Sequence, residues 1–166
     1  MDIFGNRFDI TKGKPKAAGI EVQTVDVSGN CLTFLSAYNR LGTVIAPGQP
    51  VTIDSDHTYH RKAIANATTD SEVYKYTGVA KNHMPVAIGA LAWFQIGGPA
   101  KALVDGTAAV VAGDALEVIN AGTSFIKAAS ARDLATGAIA KAAQAEASAV
   151  LIDVELIPER HSIESA

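Results

Sequence analysis

The sequence predicts a mainly β protein: a small β-sandwich or barrel-like domain with at most one short helix, preceded by an extended N-terminal arm. Three observations lead there. Turn-forming pairs fall at Gly97-Gly98, Asp105-Gly106, Gly113-Asp114 and Ala121-Gly122, eight residues apart. The runs between them, residues 100–104, 107–112 and 115–119, are apolar and too short for independent helices. Residues 150–156 alternate, with Val150, Ile152, Val154 and Leu156 on one side and Leu151, Asp153 and Glu155 on the other. That period of two describes a half-buried strand. Residues 85–96 place Val86, Ile88, Ala90, Ala92, Phe94 and Ile96 on one strand face and Ala87, Leu91 and Trp93 on the other. A strand apolar on both faces is buried on both, or buried on one and in contact with another subunit.

Taken in order, residues 1–19 are polar, broken by Gly5, Gly13, Pro15 and Gly19, and show no hydrophobic period. They read as an arm. Its apolar residues Phe4, Phe8 and Ile10 either pack on the body or a neighbour, or are incidental to a tail. Residues 20–27 are β-branched, with a slip near Val25 that reads as a bulge. Residues 31–38 are apolar and aromatic, while residues 43–46 and 51–53 flank the turn Pro47-Gly48-Gln49-Pro50. Residues 60–67 and 73–80 are further strand candidates. Residues 130–148 have helical propensity from their alanines, yet Gly137 interrupts them. The reading is a short helical or irregular stretch at 131–135, then a strand at 137–143. Pro158 ends the last strand. The organisation is therefore an arm at 1–19, a single β-rich domain at 20–157 and a polar tail at 158–166.

Composition narrows the function classes. The chain has 166 residues, 48% hydrophobic and 19% charged, which excludes an intrinsically disordered protein. Its net charge of −3 argues against a general nucleic-acid binder, whose phosphate contacts need Lys and Arg. A single cysteine, Cys31, permits no intrachain disulfide and reads as a buried structural thiol inside an apolar strand. The first residues carry no signal pattern, and no apolar run reaches the roughly 18 residues of a membrane helix. No membrane partner is expected.

The search for chemistry returns little. His57 and His60 in Asp54-Ser55-Asp56-His57-Thr58-Tyr59-His60 could ligate zinc only in a loop or helix, because strand residues three apart face opposite sides. A solvated loop is the plainer reading. His83 and His161 read as surface residues. The Gly-x-Ser-x-Gly elbow is absent, and Gly97-Gly98-Pro99-Ala100-Lys101 lacks the Gly-Lys-Ser/Thr ending of a phosphate loop. Asp153 and Glu155 share an exposed strand face, where nothing separates their pKa values for acid–base work. Trp93 and Phe94 point to opposite faces. One is core; the other is core or an interface anchor. Tyr74 and Tyr76 share a face as a cross-strand pair or a stacking platform for sugars or bases. No enzyme activity, catalytic residue, metal or cofactor is expected.

One further pattern runs through the chain. Gly42-Thr43-Val44-Ile45-Ala46-Pro47-Gly48-Gln49-Pro50-Val51, Tyr76-Thr77-Gly78-Val79-Ala80, Trp93-Phe94-Gln95-Ile96-Gly97-Gly98-Pro99-Ala100, Val110-Val111-Ala112-Gly113-Asp114-Ala115-Leu116 and Gly137-Ala138-Ile139-Ala140 follow in this order. In order and spacing they resemble the bacteriophage head decoration, or capsid cement, proteins over about two thirds of the chain. The resemblance implies a structural virion protein on the outside of an icosahedral head, made in the host cytoplasm. It would bind where major capsid subunits meet. Its partners would be the major capsid protein and itself, as a homotrimer rather than a dimer. Candidate capsid or oligomer contacts are Phe4, Arg7, Phe8 and Ile10 on the arm, and Trp93. The alternative is a virion-associated carbohydrate-binding or fibre-type β module using Trp93, Tyr74 and Tyr76.

Overall fold

The computed structural model describes residues 13–54, 64–66, 75–118, 122–128 and 136–157. The arm residues Phe4, Arg7, Phe8 and Ile10, the pair His57 and His60, Tyr74, His161 and the tail 158–166 lie outside them.

Among the described residues ten strands form. They are β1 (Glu21–Val25), β2 (Cys31–Asn39), β3 (Pro50–Asp54), β4 (Ile64–Asn66), β5 (Lys75–Ala80), β6 (Leu91–Val104), β7 (Ala115–Glu117), β8 (Ile126–Lys127), β9 (Thr136–Ala140) and β10 (Val150–Leu156). No α-helix is present among these residues, and one 3-10 turn spans Lys81–His83. The mainly β, barrel-like expectation holds. Among the described residues no helix is long and apolar enough to cross a membrane.

The strands close into two rings that share β6. In the first, β2 pairs β4, β4 pairs β3, β3 pairs β5, β5 pairs β6, and β6 returns to β2. In the second, β6 pairs β10, β10 pairs β9, β9 pairs β7 and β7 pairs β8. The parallel bridge from Val104 to Phe125 closes that ring. The order and direction of the strands match. Each ring has one parallel contact, β2–β4 in the first and Val104–Phe125 in the second, and its other pairings are antiparallel. Register extends the match to residues. Val51 pairs Gly78 as Leu116 pairs Ala138, Ala80 pairs Phe94 as Ala140 pairs Val154, and Tyr38 pairs Leu91 as Leu103 pairs Leu151. The chain thus contains the same five-stranded unit twice.

The turn before β3 and its counterpart before β7 show the repetition at atomic detail. In the first unit the Gln49 side chain accepts from the Ala46 N–H at 3.0 Å; in the second, Asp114 accepts from the Val111 N–H at 2.9 Å. The backbone N–H of Gln49 donates to Ala46 O, and that of Asp114 to Val111 O, both at 3.1 Å. Gly48 and Gly113 hold the positive φ that such turns require.

Each ring encloses its own core. Leu35, Ile45, Val51, Ile53, Phe94 and Ile96 fill the first. Val104, Val110, Leu116, Phe125, Val154 and Leu156 fill the second, with Val79 reaching in from β5. A fully buried side chain of this size contributes roughly 1.5–3 kcal/mol. Buried amides tie the loops. Asn39, fully buried, donates from Nδ2 to Thr43 O and Val86 O, each at 2.9 Å, and accepts at Oδ1 from the Leu41 N–H. Gln144 does the corresponding work in the second unit, donating to Ser148 O at 2.9 Å and Val104 O at 3.3 Å.

Several expectations are corrected. Gly97-Gly98 is not a turn but the middle of the 14-residue β6. A register shift falls there, Gly98 has φ +87°, and the Gln95 amide donates to Gly97 O and Pro99 O. The strand therefore bends without ending, which lets it serve both rings. The run at 85–96 is not one strand: Gly89, at φ +72°, turns the chain before β6 begins at Leu91. Residues 107–112 contribute only the bridge at Val110. β1 ends at Val25 without a bulge, where Asp26 caps the hairpin by accepting from the N–H groups of Ser28 and Asn30. Cys31 is exposed, because it opens β2 at the rim opposite Val25. The strand expected at 137–143 is β9; the stretch 131–135 lies outside the described residues.

Candidate functional site

Two neighbouring strand residues organise the most distinctive surface. Ser36 on β2 and Trp93 on β6 face each other in register. Ser36 is fully buried; its hydroxyl donates to Ala17 O at 2.7 Å and accepts from the Ile20 N–H at 2.8 Å. Its backbone carbonyl accepts from the Gly19 N–H at 2.7 Å, and its N–H donates to Ile20 O at 3.0 Å. Trp93 donates its indole N–H to Gly13 O at 3.0 Å. Ala18, between these ties, is buried with the first core. Residues 13–20 are thus fastened at both ends, although the sequence assigns most of them to the arm. An indole that is 6% exposed keeps its N–H only with a partner, and Gly13 supplies it.

Beside this root opens a cleft of about 430 Å³, lined among others by Lys14, Met84, Pro85, Ala87, Leu91 and Trp93. Met84 is 63% exposed and Ile88 60%. Asn82, the one described non-glycine residue at positive φ, lines this cleft and also a second one of about 390 Å³. The second lies on the shared strand, between Gln95, Pro99, Lys101 and the outer face of β10. There Lys101 pairs with Asp153 at 2.9 Å and Lys141 with Glu155 at 3.7 Å. Both pairs are largely solvent-exposed, so each contributes at most about 1 kcal/mol. The carboxylates that the sequence set aside as surface charges are here, each beside a lysine.

No group of three His, Cys, Asp or Glu side chains able to hold a metal occurs among the described residues. Three carboxyls sit below the ordinary aspartate range, all in turns. Hydrogen bonds from the Asn30 side chain hold Asp26 down, those from Thr107 hold Asp105, and that from Lys127 holds Asp114. These interactions stabilise the turns they close.

Of the residues singled out from sequence, the structure places Trp93 at the arm root and Tyr76 inside the first core at 8% exposure. Ser36 and Met84 were missed. The Ser36 signal was available, as a lone hydroxyl inside an apolar strand needs a partner for its polar atoms.

No family model matches the chain, and no curated protein matches it. Among solved structures it is similar to the head fiber gp8.5 N base in bacteriophage phi29, with a TM-score of 0.43 and 11% identity, covering 76% of this chain and 97% of that one. A likeness at this level carries no argument about function.

Proposed function

We propose that this chain is a structural virion protein that decorates the outside of a phage head, binding where major capsid subunits meet and stabilising the shell. The ordered motifs that resemble the decoration proteins support the reading. They coincide with the repeated turn of both units, with β5 and β9, and with the shared strand β6. In this reading the protein has no catalytic role, needs no cofactor, and binds neither nucleic acid nor membrane. Its partners are the major capsid protein and further copies of itself.

The observation that carries the proposal is the fastened root. Ser36 and Trp93 fix residues 13–20 to the body, so the twelve residues before Gly13, with Phe4, Arg7, Phe8 and Ile10, start from one defined point beside an apolar cleft. A chain segment laid along a partner covers much surface for its length. Repetition over a shell converts weak contacts into firm attachment. Removing residues 1–12 should abolish co-sedimentation with purified heads while leaving the melting temperature unchanged. Undiminished occupancy by the truncated, folded protein would overturn the assignment.

A further inference from the structure

The two outermost strands of the described sheet are β1 and β8, and they are built differently. β8 is two residues long and carries Lys127, which pairs with Asp114 at 2.8 Å. A short strand bearing a lysine is a blunted edge. β1 is five residues long, and no lysine, arginine or proline occurs between Ile20 and Cys31. Its hydrogen bonds to β2 alternate. The Ser36 N–H donates to Ile20 O at one end and the Asp26 N–H donates to Asn30 O at the other, both at 3.0 Å. In the register between them, Val22 faces Phe34 and Thr24 faces Leu32. Val22 and Thr24 thus direct their backbone groups to β2, and Glu21, Gln23 and Val25 direct theirs outward. Among the described residues β1 has no strand partner on that outer side. The side chains of Glu21, Gln23 and Val25 are exposed, and Val27 just beyond them is fully so.

We propose that this edge pairs with the same edge of a second copy, β1 antiparallel to β1 about a two-fold axis at Gln23. The occupant follows from self-complementarity. Centred on Gln23, the register sets Glu21 opposite Val25 of the second copy, and Gln23 opposite Gln23. Each outward residue then exchanges both backbone bonds with its opposite number. A register centred on Val22 or Thr24 runs Val25 or Glu21 past the end of the other β1, and one centred on Glu21 sets two carboxylates face to face. In the proposed register the two Glu21 residues stand about 13 Å apart along the strands, so the one charged side chain of β1 does not meet its own copy. On the other face, Val22 of one copy meets Thr24 of the second, a β-branched pair that suits a sheet. The contact is isologous and closes at two copies. It stands apart from the question of what the protein is attached to.

The test uses the full chain. Sedimentation at about 100 μM should show a dimer. Gln23→Pro should weaken association by at least about tenfold at an unchanged melting temperature, because the N–H it removes is an outward one and proline is tolerated there on an edge strand. Gln23→Lys, which sets like charges opposite each other, should weaken it as well. In a Cys31→Ser background, Gln23→Cys should give a disulfide-linked dimer, its Cα atoms meeting at about 5.5 Å across the axis. Glu21→Cys, equally exposed but about 13 Å from its copy, should give at least about tenfold less. An extended segment of another protein is the competing occupant, and it leaves the purified chain a monomer. A monomer at about 100 μM, association undiminished in both Gln23→Pro and Gln23→Lys, or equal cross-linking from positions 21 and 23 would each overturn the proposal.

Discussion

Replacing Asn39 with leucine tests the cost of one buried amide, because the number and branching of heavy atoms are conserved while the polar partners are lost. Nδ2 now donates to Thr43 O and Val86 O, and Oδ1 accepts from the Leu41 N–H. Val86 O keeps a second donor, the Ile45 N–H at 3.0 Å, and is not orphaned. Thr43 O and the Leu41 N–H lose their partner. The Leu41 N–H is half-buried and its lost partner costs about 1–3 kcal/mol; Thr43 is exposed, so its carbonyl turns to water, and the leucine recovers part through burial, for a net loss of about 1–2 kcal/mol. For a domain of this size that lowers the melting temperature by roughly 2–8 °C. Gln144→Met in the second unit should cost a similar amount, because Ser148 and Glu146 also stand in solvent. Thermal melts followed by circular dichroism measure both. An Asn39→Leu protein melting within about 1 °C of the parent would refute the reasoning.

Other outcomes follow from the same geometry. Gly48→Ala should destabilise by more than the roughly 1 kcal/mol of a positive-φ glycine alone, since Leu151 must also move; Gly113→Ala, with open space around it, should cost only the backbone part, and chemical denaturation compares the two. Removing the Lys101–Asp153 pair by Lys101→Met with Asp153→Leu should change stability by no more than about 1 kcal/mol in the same assay. The carboxyls of Asp26, Asp105 and Asp114 are lowered in the folded state, so what they contribute is present above about pH 4 and is lost as pH falls through their folded values. Replacing all three with asparagine should flatten the fall in melting temperature across that acidic window and leave the neutral region nearly unchanged; an unaltered acid limb would contradict it.

Strands that bury one face were legible in the sequence. The alternation at 150–156 becomes β10 with Ile152, Val154 and Leu156 inside, and Pro47-Gly48-Gln49-Pro50 marks the turn into β3. The duplication was not legible, because equivalent positions keep their place but not their residue. Phe94 corresponds to Val154 and Gly78 to Ala138, since each ring repacks its own small core. What does recur in sequence is the turn, Ala46-Pro47-Gly48-Gln49-Pro50-Val51 against Val111-Ala112-Gly113-Asp114-Ala115-Leu116. The even spacing of eight residues concealed it by suggesting a shorter period. Gly97-Gly98-Pro99 misled for a local reason: residues that normally end a strand here only bend one, held by the Gln95 amide. The arm root was hidden because its ties are long-range, with Gly13 and Trp93 joined by a single hydrogen bond across 80 positions of sequence.

The most direct measurement is surface labelling of intact virus particles isolated from the source of this sequence, followed by mass spectrometry of the particle proteins. The account predicts that the chain is present at a fixed ratio to the major capsid protein and is labelled while the head is still closed. Its absence from the particles, or labelling only after the heads are broken open, would contradict it.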